Sequence, residues 1–320
     1  MLTPIMDVMH NPIAHALSSL TLGDPATFEN ITMFPLFGPP PIGQAPSYLT
    51  LDEALAHSTT EITEVSEQGS VPELRVVNKA AQPVFILDGE ELLGAKQNRV
   101  VNLTILVAAA STLNIPVSCV EAGRWRARSR AFTAAPRTQY TAGRAMRMAQ
   151  VTESIRTDGK RRSDQSEVWA NISAKSERLG ASSATGAMEE IFAVHSDFTD
   201  RCVQRLGAVE GQCGALFLIN GQVVGFDLFD RASTLRSLLP KLVRSVAVEA
   251  LDRPADGRSA ALQGCQASAR QFLAVVAATK PHVTPAVGLG EDYRLVAPGF
   301  AGAALVHEGA AVHVSAFTLE

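Results

Sequence analysis

Cysteine is scarce in this chain of 320 residues: only Cys119, Cys202, Cys213 and Cys265 occur. None forms a CxxC pair or a zinc-ligand spacing, and a chain this long buries enough core without a disulfide framework, so reduced thiols are expected. GxGxxG, P-loop and HExxH motifs are absent too. Dinucleotide, nucleoside-triphosphate and zinc-peptidase chemistry thereby lose their best sequence supports. The strongest apolar run, VVNLTILVAAA, is interrupted by Asn102 and Thr104 and is too short to span a bilayer. With no basic leader either, the reading is a cytoplasmic soluble protein with no membrane segment. Aromatics make up only 6% of the chain, which leaves basic residues few stacking partners and argues against sequence-specific nucleic-acid binding.

Hydrophobic residues at 46% and charged residues at 19% describe a packed globular protein rather than a disordered one. The net charge of −4 is unevenly spread: residues 121–178 hold 13 Lys and Arg against 6 Asp and Glu, and the remainder holds 15 against 26. Such a basic island concentrates anions locally, or else it is a solvated surface.

The first part of the chain is rich in short β-branched runs, ITMFPLFG, ELRVVN, PVFIL, RVVNLTILV and IPVSCVE, each bounded by Gly, Pro, Asn or Asp. These predict an antiparallel β-sandwich or roll over residues 25–135, after an N-terminal extension at 1–24. Residues 136–320 form an α+β region, expected to pack with the first as one unit. Within it, Ala145, Met148, Val151 and Ile155 recur at helical spacing. Asp164 with Glu167 predicts the start of a second helix, and a stripe from Met188 to Leu206 predicts further helix. Asn220-Gly221 between ALFLI and QVVGFDLF is a hairpin signal. A helix follows from Leu235, in which Pro240 either kinks the element or opens a second one. Another helix is expected near 264–279, and the end reads as a strand meander. The fold class is α+β.

Strand parity carries the functional argument. Val107, Ile105, Leu103 and Val101 share a face that extends back to Arg99 and Gln97, while Ile115, Val117 and Cys119 share one that ends on Glu121. If these ends meet, Arg99 and Glu121 lie at the mouth of the sandwich, near Glu90, Arg124 and Trp125. Arg99, Arg124 and Lys96 could hold phosphate or carboxylate. Gln97 and Asn98 could read a base edge or sugar hydroxyls, and Trp125 offers a stacking surface. Glu90 and Glu121 could serve as acid and base where burial raises a pKa. Alternatively the carboxylates pair with the arginines as a structural network. Asp88-Gly89 reads as turn chemistry. His307 and His313 face each other only if their hairpin loop has three residues, which leaves a cupin-like metal site as a weak option; no metal ligands are assigned. His195 lies on an apolar stripe, and Cys119 has core-facing parity, where thiols are inert.

At DGEELLGAKQNR, IPVSCVEAGRW, VWANIS, GQVVGFDLFD and LGEDYRL…GFAGAALVHEG…VHVSAF the chain resembles the domain family associated with ADP-ribosylglycohydrolases and rhodanese-phosphatases. The resemblance runs from about residue 30 to 318. It implies a small anionic ligand of the nucleotide-sugar class, drawn from NAD and ADP-ribose metabolism, and an ADP-ribosylglycohydrolase-type protein as partner. The matching positions are Glu90, Lys96, Gln97, Asn98, Arg99, Glu121, Arg124 and Trp125. Two functional classes therefore stand side by side: binding or hydrolysis of such a ligand, and a non-catalytic module that docks a partner protein or nucleic acid through the basic segment. Association with an enzyme does not transfer its chemistry.

Overall fold

The computed structural model describes residues 11–38, 47–66, 70–254 and 262–319. Among the described residues the chain is α+β, with strands dominating the first part, helices the middle and a β-meander the end. Nearly all strand pairs are antiparallel.

Six strands of the first part form a roll. They are β5 (Thr60–Glu64), β6 (Glu73–Asn78), β8 (Glu90–Gly94), β9 (Arg99–Val101), β11 (Ser111–Cys119) and β12 (Phe132–Thr138), in the order β12-β8-β9-β11-β6-β5. The two edges touch through a bridge between Thr63 and Ala131. Curling lets one apolar face of the alternating strands bury against itself. Ile62, Leu74, Val76, Leu92, Val101, Ile115, Val117 and Phe132 fill that interior, each aliphatic side chain contributing about 1.5–3 kcal/mol. Beside it β4 (Leu49–Thr50), β7 (Val84–Ile86) and β10 (Ile105–Val107) make a small sheet. A short helix, α2 (Leu51–Ala56), is opened by a Thr50/Glu53 capping box; α1 (Pro12–Ser18) precedes it.

RVVNLTILV is two strands, β9 and β10, rather than one. The polar residues at the break have partners outside any ladder: Asn102 donates to the Arg161 carbonyl and accepts from Ser118, and Thr104 meets His313. Fixed tertiary bonds override strand continuity there.

The middle holds α3 (Thr141–Asp158), ended by Gly159 at φ 71°, and α4 (Gln165–Arg178), capped by Asp164 as its spacing with Glu167 predicts. The stripe from Met188 to Leu206 breaks at His195 into α5 (Glu189–Val194) and α6 (Ser196–Arg205). The hairpin of β13 (Gly214–Ile219) and β14 (Gln222–Phe229) turns on Asn220 and Gly221, at φ 51° and 76°. Helix α7 (Ala232–Asp252) runs through Pro240 as a single element, and α8 (Leu262–Ala278) follows. The closing strands are β15 (His282–Pro285), β16 (Glu291–Ala297), β17 (Phe300–His307) and β18 (Ala310–Thr318).

These strands join β1 (Thr21–Leu22), β2 (Ala26–Phe28) and β3 (Ile31–Phe37) in one nine-stranded sheet, order β1-β3-β13-β14-β18-β17-β16-β15 with β2 on β3. The start and the end of the chain thus share a sheet. One face packs α1 and α8 over an apolar cluster. The other face is divided: α7 covers the β3, β13 and β14 side with Leu235, Leu239, Leu242 and Val246, while α3 covers the β16–β18 side and brings arginines to it.

Candidate functional site

In the roll, Cys119 pairs with Arg99 and Val117 with Val101, so the inward rows do end in charge as parity predicts. Arg99 is wholly buried. Its Nη1 donates to Gln97 Oε1 at 3.2 Å and to the Asn98 carbonyl at 3.4 Å. Its Nε and Nη2 have no partner among the described residues, nor does Glu64 Oε2 at the end of strand β5. Burial holds the Arg99 guanidinium below its usual pKa, with Cys119 and Glu64 opposing. Above it lies Trp125, 51% exposed. The indole centroid is 5.9 Å from Arg99 Cζ and 5.3 Å from Lys96 Nζ, a cation–π arrangement on an open aromatic face.

Glu121 and Arg124 stand beside this pair and are fully engaged with each other. The Glu121 carboxylate accepts from Arg124 Nε at 2.8 Å, Arg124 Nη2 at 2.7 Å, Thr185 Oγ1 at 2.9 Å and Asn98 N–H at 3.1 Å. Burial pushes its pKa up, and these bonds outweigh that push, leaving it below the usual carboxylate range. Arg124 also donates to the carbonyls of Ala95, Arg126 and Gly94 and to Asn98 Oδ1. All three of its nitrogens are therefore spent on the protein, and the expected phosphate ligand is a clamp. Gln97 and Asn98 are likewise turned inward, Gln97 Nε2 to the Glu121 carbonyl and Asn98 Nδ2 to Glu189.

The clamp presents a loop. Arg128 N–H bonds the Ala95 carbonyl at 2.9 Å, and Ser129 Oγ accepts the Ala95 N–H at 2.9 Å. Gly94 permits this approach, since a Cβ there would meet Ser129 Oγ at 2.5 Å and its φ is 126°. Outward from this anchorage, Arg126, Arg128 and Arg130 are exposed and make no ion pair among the described residues.

Glu90 belongs elsewhere. Its Oε2 accepts from Leu87 N–H at 2.8 Å, and its Oε1 accepts from Lys241 Nζ of α7 at 2.6 Å. Lys241 also reaches Asp52, at 2.7 Å. Burial raises the Glu90 pKa against the pull of Lys241. Among the described residues no bond or shared partner links Glu90 to Glu121: Lys241 holds the first and Arg124 the second.

The densest ionic cluster escaped the sequence reading. Asp88, expected as a turn residue, accepts from Arg147 Nη1 at 2.8 Å and Arg144 Nε at 3.3 Å. Arg144 forks onto Asp227 at 2.8 and 3.0 Å, Asp227 meets His313 Nε2 at 3.1 Å, and His313 Nδ1 meets Thr104 at 2.9 Å. All but Thr104 are buried. Burial opposes the Asp227 charge, but Arg144 and His313 prevail and hold its pKa at about 2. The available signals were faint: Arg144 and Arg147 stand three apart beside Ala145 and Met148 of the helical stripe, and Asp227 interrupts GFDLF.

His313 is thus committed, with Phe229 stacked on it at 4.8 Å. His307 lies instead beside Glu308 at 4.0 Å, and the turn between them is the two-residue Glu308–Gly309. Among the described residues no group of three or more His, Cys, Asp or Glu is placed to hold a metal ion, which removes the geometry the cupin-like option needed. The four cysteines are buried and unbridged, and burial raises the Cys119 thiol pKa. No described helix is long and apolar enough to cross a membrane.

No curated protein and no solved structure matches the chain significantly. The family described as the ARG and Rhodanese-Phosphatase-superfamily-associated Protein domain matches residues 19–317, nearly the whole length, and the chain belongs to that family.

Proposed function

We propose that the protein binds a small anionic ligand of the nucleotide-sugar class, ADP-ribose or another NAD-derived nucleotide, at the mouth of the six-stranded roll. The observation that carries this reading is the wholly buried Arg99, with two nitrogens, Nε and Nη2, unpartnered among the described residues beneath an exposed Trp125. A phosphate would accept from Arg99 and a base would stack on Trp125, with Lys96 adjoining the ring. Binding is favoured over hydrolysis: Glu121 is held ionised by four donors and is a weak base, and Glu90 is bound to Lys241. Buried, unbridged cysteines fit a reducing cytoplasmic setting, and the family name fits an ADP-ribosylglycohydrolase-type partner. Isothermal titration with ADP-ribose and with NAD is the test. Saturable heat that falls about tenfold or more in affinity in Trp125→Ala supports the reading; silence in both titrations at millimolar ligand ends it.

A second reading rests on Arg126, Arg128 and Arg130, exposed around Trp125 without carboxylate partners among the described residues. They suit docking of an acidic partner. Affinity that collapses with added salt favours this reading, and a mild salt response favours the pocket.

A further inference from the structure

The α3-covered face of the large sheet carries a polar stripe. Cross-strand register sets Asp227, Ser315, Ala303 and Arg294 in one row, and Phe229, His313, Leu305, Asp292 and Thr284 in the next. Directly paired residues share a face, as do residues two apart on a strand, so both rows point the same way. Helix α3 lies over β16, β17 and β18 and adds Arg144 and Arg147 from above.

Most of these charges are paired within the fold. Arg144 holds Asp227 and Asp88, Arg147 holds Asp88, and Arg294 holds Asp292 at 2.9 Å. Three donors of this stripe are left over: Arg147 Nη2, Arg294 Nη2 and Ser315 Oγ are buried with no hydrogen-bond partner among the described residues. Their residues are 0%, 2% and 0% exposed. Burial, with Arg144 and Arg294 close by, keeps the Arg147 guanidinium below its usual pKa against the pull of Asp88. Two further orphans, Thr284 Oγ1 and Arg161 Nε, lie toward the edge strand β15, where Arg161 donates to the Pro285 carbonyl at 2.5 Å. Ala303 separates Ser315 from Arg294 in the row with only a methyl group, and Ala303 and Thr284 are only partly buried.

A buried donor left without an acceptor loses its hydration with no return, and the loss is greater at a charged group. Guanidinium groups and a hydroxyl left without acceptors on one face are short of an acceptor-rich group. We propose that this stripe is a second anion site, in which Arg147, Arg294 and Ser315 hold a phosphate-sized oxyanion that reaches them past Ala303 and Thr284. Guanidinium N–H groups match the oxygens of a tetrahedral anion, and Ser315 supplies a neutral donor. The site is separate from the Arg99 mouth and does not depend on what binds there.

Thermal unfolding of the full chain in inorganic phosphate, against chloride at matched ionic strength, is the test, using the unaltered protein, Ser315→Ala and Arg294→Lys. Because the Ser315 hydroxyl has no bond among the described residues, Ser315→Ala is expected to leave the midpoint in chloride unchanged while weakening phosphate about tenfold or more. Arg294→Lys keeps the charge on Asp292 and is expected to lose the phosphate response as well. Loss of the phosphate response in these two variants, with Arg99 and Trp125 both intact, separates this site from the proposed nucleotide site. Equal midpoints in phosphate and chloride would overturn the proposal. So would a phosphate response undiminished in both variants, or a lowered Ser315→Ala midpoint in chloride, which would show the hydroxyl bonded to structural water.

Discussion

Two of the ionic clusters among the described residues are built in opposite ways. The one at the mouth of the roll draws Lys96, Gln97, Asn98, Arg99, Glu121, Arg124 and Trp125 from two short stretches of chain and ends at an exposed indole. The one beneath α3 collects Asp88, Thr104, Arg144, Arg147, Asp227 and His313 from five separate segments, and apart from Thr104 it is buried throughout. The first cluster anchors one loop to one hairpin. The second joins the roll, a helix and the large sheet, so its loss is felt by the whole fold.

The comparison breaks most sharply at Asp227. Changing Asp227→Asn strands Arg144 and His313 in the interior, and a loss of about 3–5 kcal/mol of stability is expected, read by urea unfolding. A loss below about 1 kcal/mol would make the inner cluster no more structural than a surface pair.

Acid titration sharpens the same contrast. The folded pKa of Asp227 is depressed from 3.8 to about 2, so its contribution is present above pH 4 and disappears as pH falls toward 2. That shift corresponds to about 2 kcal/mol. Unfolding free energies measured across this window should show the slope in the unaltered protein and a shallower one in Asp227→Asn; identical slopes would contradict the assignment.

Glu121→Gln is expected to act locally. The neutral amide still accepts hydrogen bonds but loses its charge against Arg124, a cost of about 1–3 kcal/mol. Hydrogen exchange should quicken at Gly123 and Arg128, whose N–H groups bond Thr185 and Ala95, before it quickens in α3. Uniform acceleration across both clusters would erase the distinction. The smallest effect belongs to Trp125→Ala, expected within about 0.5 kcal/mol of the unaltered stability because the indole is half exposed.

The mouth cluster was largely legible because strand parity is a local rule. Arg99 and Glu121 continue apolar rows, and pairing of β9 with β11 sets Arg99 opposite Cys119, two residues before Glu121. What parity could not show was occupancy: Arg124, Gln97 and Asn98 are consumed by backbone carbonyls and by one another. Glu90 shows the same gap, since its partner Lys241 is 151 residues away. The break in RVVNLTILV and the inner cluster were not legible, because Asn102, Thr104, Asp88 and Asp227 look like strand or turn residues until distant segments arrive.

The amino-acid order alone determined the strand and helix periods, the Asn220-Gly221 hairpin, the Asp164 cap and the α+β class, all of which follow from contacts within a few residues. Tertiary structure alone decided which charges are spent and which are left over. A buried charge is settled by whatever partners reach it across the fold, and desolvation makes each such partner, or its absence among the described residues at Arg99 Nη2 and Arg294 Nη2, weigh more than any local preference.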